Sequence, residues 1–405
     1  MNRLASGSDC DILIVGAGLV GSCCALALAR EGLKIIMLDK QESASSVEEE
    51  PLRVSALNLA SQNILSRLGV WQTIAAGPVT PFEQIAVWDA SSRGEISFDA
   101  ASIGAPALGH IVVDSEARAA LHHALTLEPM VSIIAGESIL SLETSEDKAV
   151  ITTSEGNDFT AQLVVGADGA ESQVRELIGI DSHQAAYDQV AIVATVTPQK
   201  PHERCARQRF LSTGPLAFLP FTDSRCSIVW SVATEKAKEL LSLDDRHFAQ
   251  ALADAFDQRL GAMQSVSPRK SFPLIRRHVE TYIDQRLALI GDAAHTVHPL
   301  AGLGANQGLA DAAALAQIIG DARAHNRDFG NRSVLRRYER WRRGENSLVL
   351  EIIGGFHSLF STESGTRAKV RGIGLDLADR SGVLKTTLIE YAVGLSGDLP
   401  ELARP

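Results

Sequence analysis

Asp11-Ile-Leu-Ile-Val-Gly16-Ala-Gly18-Leu-Val-Gly21 is the stretch from which the fold can be read. A short apolar run ends at a glycine, and from 19 to 30 small and apolar residues recur at helical spacing until Gly32 stops the pattern. Residues 34–38 form a second apolar run, so the order is strand, glycine turn, helix, strand. That is a βαβ unit, whose parallel strands normally lie inside a helix-covered sheet. Gly16, Gly18 and Gly21 fit the dinucleotide fingerprint: the first makes the tight turn, the second lets a pyrophosphate approach, and the third packs helix on strand. Asp39 follows Gly21 by eighteen residues at the end of the second strand, where a carboxylate accepts hydrogen bonds from an adenosine ribose. A nicotinamide dehydrogenase shares all of this.

Outward from that unit, 41–51 is a polar loop and 56–68 a helix. Short strands at 84–88 and 95–99 precede a helix at 115–125, and strands at 148–153 and 159–165 lead into Gly166-Ala-Asp168-Gly169. Strands at 190–196, 207–211, 216–221 and 226–232 with a helix at 245–259 give an α+β layer. A last strand, 286–290, precedes a long helix, 304–319, and 333–395 reads as helices broken near 361–365 and 382. Val349, Ile352, Ile353, Phe356, Leu359 and Phe360 form an apolar stripe there, read as internal packing before a membrane or partner surface.

The 405 residues, 45% hydrophobic, are enough for more than one domain, and a net charge of −11 offers no basic footprint for nucleic acid. The five cysteines have no C-x-x-C or zinc spacing and read as buried free thiols. Acids at 9 and 11 and the glycines inside the first apolar run argue against an export signal, and no other run is long enough to span a bilayer.

Two more segments carry chemistry. Gly166-Ala-Asp168-Gly169 leads into Ser172-Gln-Val-Arg175, and Gly291-Asp292-Ala-Ala-His295 leads into His298-Pro299-Leu-Ala-Gly302-Leu-Gly304-Ala-Asn306. A carboxylate at a strand tip beside a helix N-terminus can hold a ribityl hydroxyl, while the free helix N–H groups favour negative charge on a reduced flavin. Taken singly, Asp292 is equally a helix cap and Asp168 an Asx turn. His295 and His298 lack further ligands at metal spacing, so no metal is expected. Ser172, His295 and Asp292 lack the Gly-x-Ser-x-Gly elbow of a hydrolase.

The three segments, in this order, resemble the FAD-dependent aromatic hydroxylases of the para-hydroxybenzoate hydroxylase type. Phe272-Pro-Leu, His278, Tyr282 and the run from Ala288 to Gly302 narrow the resemblance to the ubiquinone-biosynthesis hydroxylase family. Val229-Trp-Ser231, Arg337-Tyr-Glu-Arg-Trp-Arg-Arg343, Glu345-Asn346, Leu359-Phe-Ser361 and Gly374-Leu through Gly382-Val-Leu-Lys385 extend it to about Leu399. The family commonly has Gly-Gln-Gly-x-Asn-Leu-Gly where this chain has Leu303 for the glutamine and Gln307 for the leucine.

The resemblance implies an α/β FAD-binding domain with a Rossmann-like βαβ unit and parallel sheet, an inserted α+β substrate domain and a C-terminal helical region. The FAD-binding parts are expected at 1–80, 106–185 and 276–330, substrate-domain strands at 81–105, the β-rich substrate domain at 186–275 and the helical region at 331–405. By the same resemblance Gly16, Gly18, Gly21, Asp39, Arg53, Arg118, Asp168 and Asp292 bind FAD. Asp168 and Arg175 are also associated with the nicotinamide cofactor. His298 and Pro299 lie in a flavin-facing catalytic loop with no side-chain nucleophile, and Gly302, Gly304, Ala305 and Asn306 bind the cofactor. The implied reaction uses NAD(P)H and O2 to hydroxylate a polyprenylated ubiquinone precursor through a flavin C4a-hydroperoxide. It implies a cytoplasmic enzyme with peripheral membrane access, and a biosynthetic complex, lipid-handling protein or homo-oligomer as partners. A flavin hydroxylase of a soluble aromatic compound and a non-catalytic flavin-binding subunit stay open as alternatives.

Overall fold

The computed structural model describes residues 8–42, 53–92, 94–296, 303–360, 385 and 389–405, with the backbone alone at 8, 185–187, 303, 349–350 and 352–360. Its first sheet is built on the strand Ser8–Val15, in which Ile12, Leu13 and Ile14 have no exposed surface. Apolar side chains on both faces of one strand require cover on both sides, and the parallel arrangement supplies it. Ser8–Val15 pairs in parallel with Ile35–Asp39 on one side and Asp158–Gly166 on the other. Val131–Ala135 extends the sheet beyond Ile35–Asp39, and Leu287–Leu289 beyond Asp158–Gly166, again in parallel. Ile139–Thr144 and Ala149–Thr153 join as an antiparallel extension. The helices Leu19–Arg30 and Leu303–Ala324 pack on one another within this core.

A nine-stranded sheet forms the second layer. Its central strands, Ser182–Pro198, Cys226–Ala233, Gly214–Pro220 and Cys205–Leu211, are antiparallel, and Gln84–Asp89 adds in parallel beside Cys205–Leu211. One face carries Ile192, Ala194, Val196, Leu216, Phe218, Ile228, Trp230 and Val232 against the helices Thr234–Ser242 and Asp245–Ala255. Phe248 and Phe256 are fully buried there, each contributing roughly 1.5–3 kcal/mol of apolar burial. At one edge, Lys270–Val279 pairs with His295–Thr296, so the loop after the last parallel strand is stitched into this second sheet. A small sheet of Val54–Asn58, Gly109–Val113 and Thr80–Phe82 lies between the layers, with Phe82, Ile111, Phe221, Ile389 and Val393 in its core.

Several local expectations shift. Residues 56–58 belong to a strand rather than a helix: Val54–Asn58 pairs with Gly109–Val113, and the helix Leu59–Arg67 starts only where the Asn58 side chain accepts from the Ser61 N–H at 2.9 Å. The strand expected at 190–196 runs from Ser182 to Pro198, and its polar first half pairs with Lys270–Val279 across a register shift. The helix Arg332–Phe360 is continuous, and residues 385 and 389–392 are helical again. The side chains of the apolar stripe at 349, 352, 353, 356, 359 and 360, and the sequence pattern at 361–384, lie outside the described residues. All five cysteines are buried free thiols, and burial pushes Cys23 up to about 12, which keeps it neutral. Among the described residues no helix is long and apolar enough to cross a membrane.

Candidate functional site

The three glycines of the first turn have different neighbours. A Cβ on Gly16, whose φ is +104°, would stand 2.4 Å from the Ala167 carbonyl oxygen, and one on Gly21 would stand 2.0 Å from the Gly16 carbonyl oxygen. Those two are required by the protein's own backbone. A Cβ on Gly18 would meet nothing within 4 Å. Gly18 is the N-cap of Leu19–Arg30 and provides no side-chain cap, so the first N–H groups of that helix face the open space with the positive end of the helix dipole behind them. An anionic group is what such a terminus receives.

The flanking residues define the rest of the cleft. Asp39 accepts the Ala17 N–H at Oδ2 and the Gln41 N–H at Oδ1, both at 2.9 Å, which leaves one lone pair on each oxygen for a hydroxyl donor. On the helix Asp114–Thr126, His122 Nε2 lies 2.9 Å from the Ala17 carbonyl oxygen, to which it donates. Arg118 stands one turn earlier. Its Nη2 reaches Gln41 Oε1 at 3.4 Å, while its Nε is buried with no partner among the described residues and is free to donate to an anionic ligand. Arg53 pairs through Nε with Asp114 at 2.9 Å and is otherwise 81% exposed.

The second and third loops are stapled together. Asp168 accepts from Ser172 Oγ at 2.6 Å and from the Val174 N–H at 3.1 Å, so its carboxylate organises its own loop. Arg175 is buried and donates to the Ala293 carbonyl at 3.0 Å and the Ala170 carbonyl at 2.8 Å, which fixes one loop against the other. Asp292 sits at the tip of the strand Leu287–Leu289, half-buried, with no hydrogen-bond donor reaching its carboxylate among the described residues. Burial raises its carboxyl above the usual range, against the opposing charges of His295, Arg53 and Arg277. An acid in that condition gains most from ligand hydroxyls. Asp292→Ala should weaken FAD binding about 10- to 100-fold, read by flavin fluorescence titration of the apo-protein, because a hydrogen bond to a charged acceptor contributes about 1.5–3 kcal/mol.

Helix Leu303–Ala324 begins at the third loop. Asn306 is committed to the protein. Its Oδ1 accepts from the Asn58 N–H at 2.9 Å and Ser61 Oγ at 2.7 Å, and its Nδ2 donates to the Ala56 carbonyl at 2.8 Å. That side chain latches the helix to the small sheet, and Gly304 and Ala305 bring first-turn backbone to the loop. His298, Pro299 and Gly302 lie outside the described residues.

Sequence reasoning missed Asp311, which is fully buried and bonded to His295 and Arg342. The available signal was a lone acid within Gly308-Leu-Ala-Asp311-Ala-Ala-Ala-Leu315, since a charge inside an apolar helix must be paired.

Open space before an uncapped helix, a ribose-ready Asp39, an orphaned Arg118 nitrogen and an unpaired Asp292 fit FAD. The family model described as "FAD binding domain" matches residues 9–350. The 3-demethoxyubiquinol 3-hydroxylase of Escherichia coli is 35% identical over 387 residues, covering 95% of this chain and 98% of the relative. The ubiquinone hydroxylase UbiL of Rhodospirillum rubrum is 37% identical over 398 residues, covering 97% and 92%. The solved structure of P. aeruginosa PqsL in complex with 2-aminobenzoylacetate superposes with a TM-score of 0.77 at 22% identity, covering 89% of this chain and 98% of that one.

Proposed function

Since the chain belongs to the FAD binding domain family and is an FAD-dependent monooxygenase, we propose that it hydroxylates the aromatic ring of a polyprenylated ubiquinone precursor, with NAD(P)H as electron donor. The balance is NAD(P)H, O2, a proton and the ring compound giving the hydroxylated ring, NAD(P)+ and water. A bound FAD supplies the redox chemistry, accepting hydride and activating O2. The protein's share is binding, orientation and exclusion of water. The Leu19–Arg30 N-terminus and Gly18 would take the pyrophosphate, Asp39 the adenosine ribose, Arg118 an anionic edge and Asp292 the ribityl hydroxyls.

The observation that carries the substrate class is an apolar strip on a sheet face that Thr195, Ser227 and Ser231 share. Val193, Val229 and Ala217 pair across three strands, on the face turned away from the two covering helices, and each is half-buried. Ile85, Ala206 and Leu219 on the same face pack against the buried cluster around Phe82 and Ile111 that Val54 and Ala56 of the small sheet also pack against, so this face looks toward the small sheet. Small apolar residues leave room there for an uncharged ring and the start of a polyprenyl chain. A chain of that kind stays out of water, so this reading implies peripheral membrane contact or a lipid-handling partner.

The test is stopped-flow reduction of the purified flavoprotein by NAD(P)H. A short-chain quinone precursor should accelerate reduction, because a flavin reduced without substrate wastes O2 as peroxide. Reduction that is fast and indifferent to quinone precursors, or accelerated only by a water-soluble aromatic acid, contradicts this reading.

A further inference from the structure

Asp311 lies in the middle of Leu303–Ala324 with no exposed surface, and its carboxylate accepts four donors. Oδ1 takes Arg342 Nε at 2.7 Å and Asn346 Nδ2 at 3.2 Å, and Oδ2 takes His295 Nε2 at 2.5 Å and the Gly291 N–H at 3.1 Å. Two of these donors belong to the loop that carries Asp292, and two to the long helix Arg332–Phe360. Arg342 is fixed further by Gln307 Oε1 at 2.7 Å and Asn346 Oδ1 at 3.1 Å. Gln307 stands where the resembled family commonly has leucine, so this chain has an added tie between the two helices. Asn346 also reaches the Tyr282 hydroxyl at 3.3 Å, and the Tyr282 ring stacks on His295 at 5.8 Å.

A carboxylate only accepts, so His295 carries its proton on Nε2. Its Nδ1 is then buried without a partner among the described residues. Apolar residues at 311 and 342 would hold two helices together at least as well, because a buried ion pair repays its desolvation poorly. What they could not do is grip an amide and an imidazole of the intervening loop in one orientation.

We propose that Asp311 is a positioning residue of the flavin site: through Gly291 and His295 it holds loop 291–296, with Asp292, in the conformation that receives FAD, and through Arg342 it couples that loop to helix Arg332–Phe360. The proposal rests on the flavin reading of the cleft. Coupling is reciprocal, so FAD bound at the loop must also steady the helix residues that share the carboxylate.

Three measurements test it. In the wild-type protein, FAD should slow amide hydrogen exchange in loop 291–296 and also in segment 338–346, and an unchanged 338–346 segment overturns the proposal. Asp311→Asn alone strands the Arg342 charge and is expected to lower stability, so the deciding variant is Asp311→Leu/Arg342→Met, which removes both charges together with the acceptor that grips Gly291 and His295. Its apo-protein should melt close to wild type. Its FAD dissociation constant should rise at least about tenfold, as for other groups that orient a ligand-holding loop, and the flavin reduction potential should move. An unchanged dissociation constant and potential overturn the proposal. So does weaker binding that only follows a lower apo melting temperature with a normal potential, since that is a purely structural role. A wild-type protein that cannot bind FAD overturns the flavin reading and this proposal together.

Discussion

Gly18→Asp should abolish FAD retention while leaving the apo-protein as stable as wild type or slightly more so. The two effects have opposite signs because Gly18 serves two partners. As N-cap of Leu19–Arg30 it has an extended backbone, φ −74° and ψ −174°, that aspartate adopts freely, and aspartate is among the best N-caps. A Cβ there meets no described protein atom within 4 Å. The space it enters is the one assigned to the pyrophosphate, and its negative charge neutralises the helix terminus that would hold the phosphates. A loss of about 100-fold or more in FAD affinity, roughly 3 kcal/mol, is expected by fluorescence titration, with an unchanged or raised melting temperature for the apo-protein. Gly21→Ala is the contrast. Its Cβ would stand 2.0 Å from the Gly16 carbonyl oxygen, so the apo-protein itself should melt lower. Equal FAD affinity in Gly18→Asp and wild type would move the pyrophosphate elsewhere.

Arg342→Met should lower stability by about 3–5 kcal/mol, the usual cost of stranding one charge of a buried pair. Asp311 loses the donor at Oδ1 that also carries the compensating charge. Burial by itself would raise the Asp311 carboxyl, but His295 and Arg342 pull it down to about 2. A carboxyl depressed in the folded state adds stability that is fully present above its unfolded value near 4. That contribution disappears as pH falls from about 4 towards 2. Urea unfolding should therefore show the gap between wild type and Arg342→Met at its widest at neutral pH and closing below pH about 4. A gap that widens with acid would mean that Arg342 does not compensate Asp311. Asp311→Asn in the Arg342→Met background should recover much of the lost stability, because the unpaired charge is gone.

Features encoded by neighbouring residues were legible in the sequence, and features made by distant residues were not. Ile12 to Val15, the three glycines and Asp39 lie within about thirty residues, and their order alone specifies a parallel βαβ unit with an anion-binding turn. Arg118 entered through family resemblance and Asp292 through its place at a strand tip beside a helix N-terminus, and the structure leaves a nitrogen of one and the carboxylate of the other without protein partners among the described residues. Asp168 entered through the same strand-tip pattern and Asn306 through the resemblance, yet their side chains turn to Ser172 and Val174 and to Asn58, Ser61 and Ala56. Short polar residues at strand tips and helix starts serve backbone as readily as ligand, and spacing cannot separate the two uses. Val54–Asn58 was missed because its small and apolar residues continue smoothly into the period of the helix that follows, and only pairing with Gly109–Val113 makes it a strand. The Asp311 network draws on positions 282, 291, 295, 307, 311, 342 and 346, which no local period connects.

The most direct measurement is product analysis under 18O2. The purified protein, loaded with FAD and given NAD(P)H and a short-chain quinone precursor, should form a ring-hydroxylated product carrying one atom of 18O per molecule, with NAD(P)H consumed in equal amount. Label that enters from H218O instead, or NAD(P)H oxidation that yields only hydrogen peroxide with every quinone precursor, would contradict the reading of this chain as a ring hydroxylase of ubiquinone precursors.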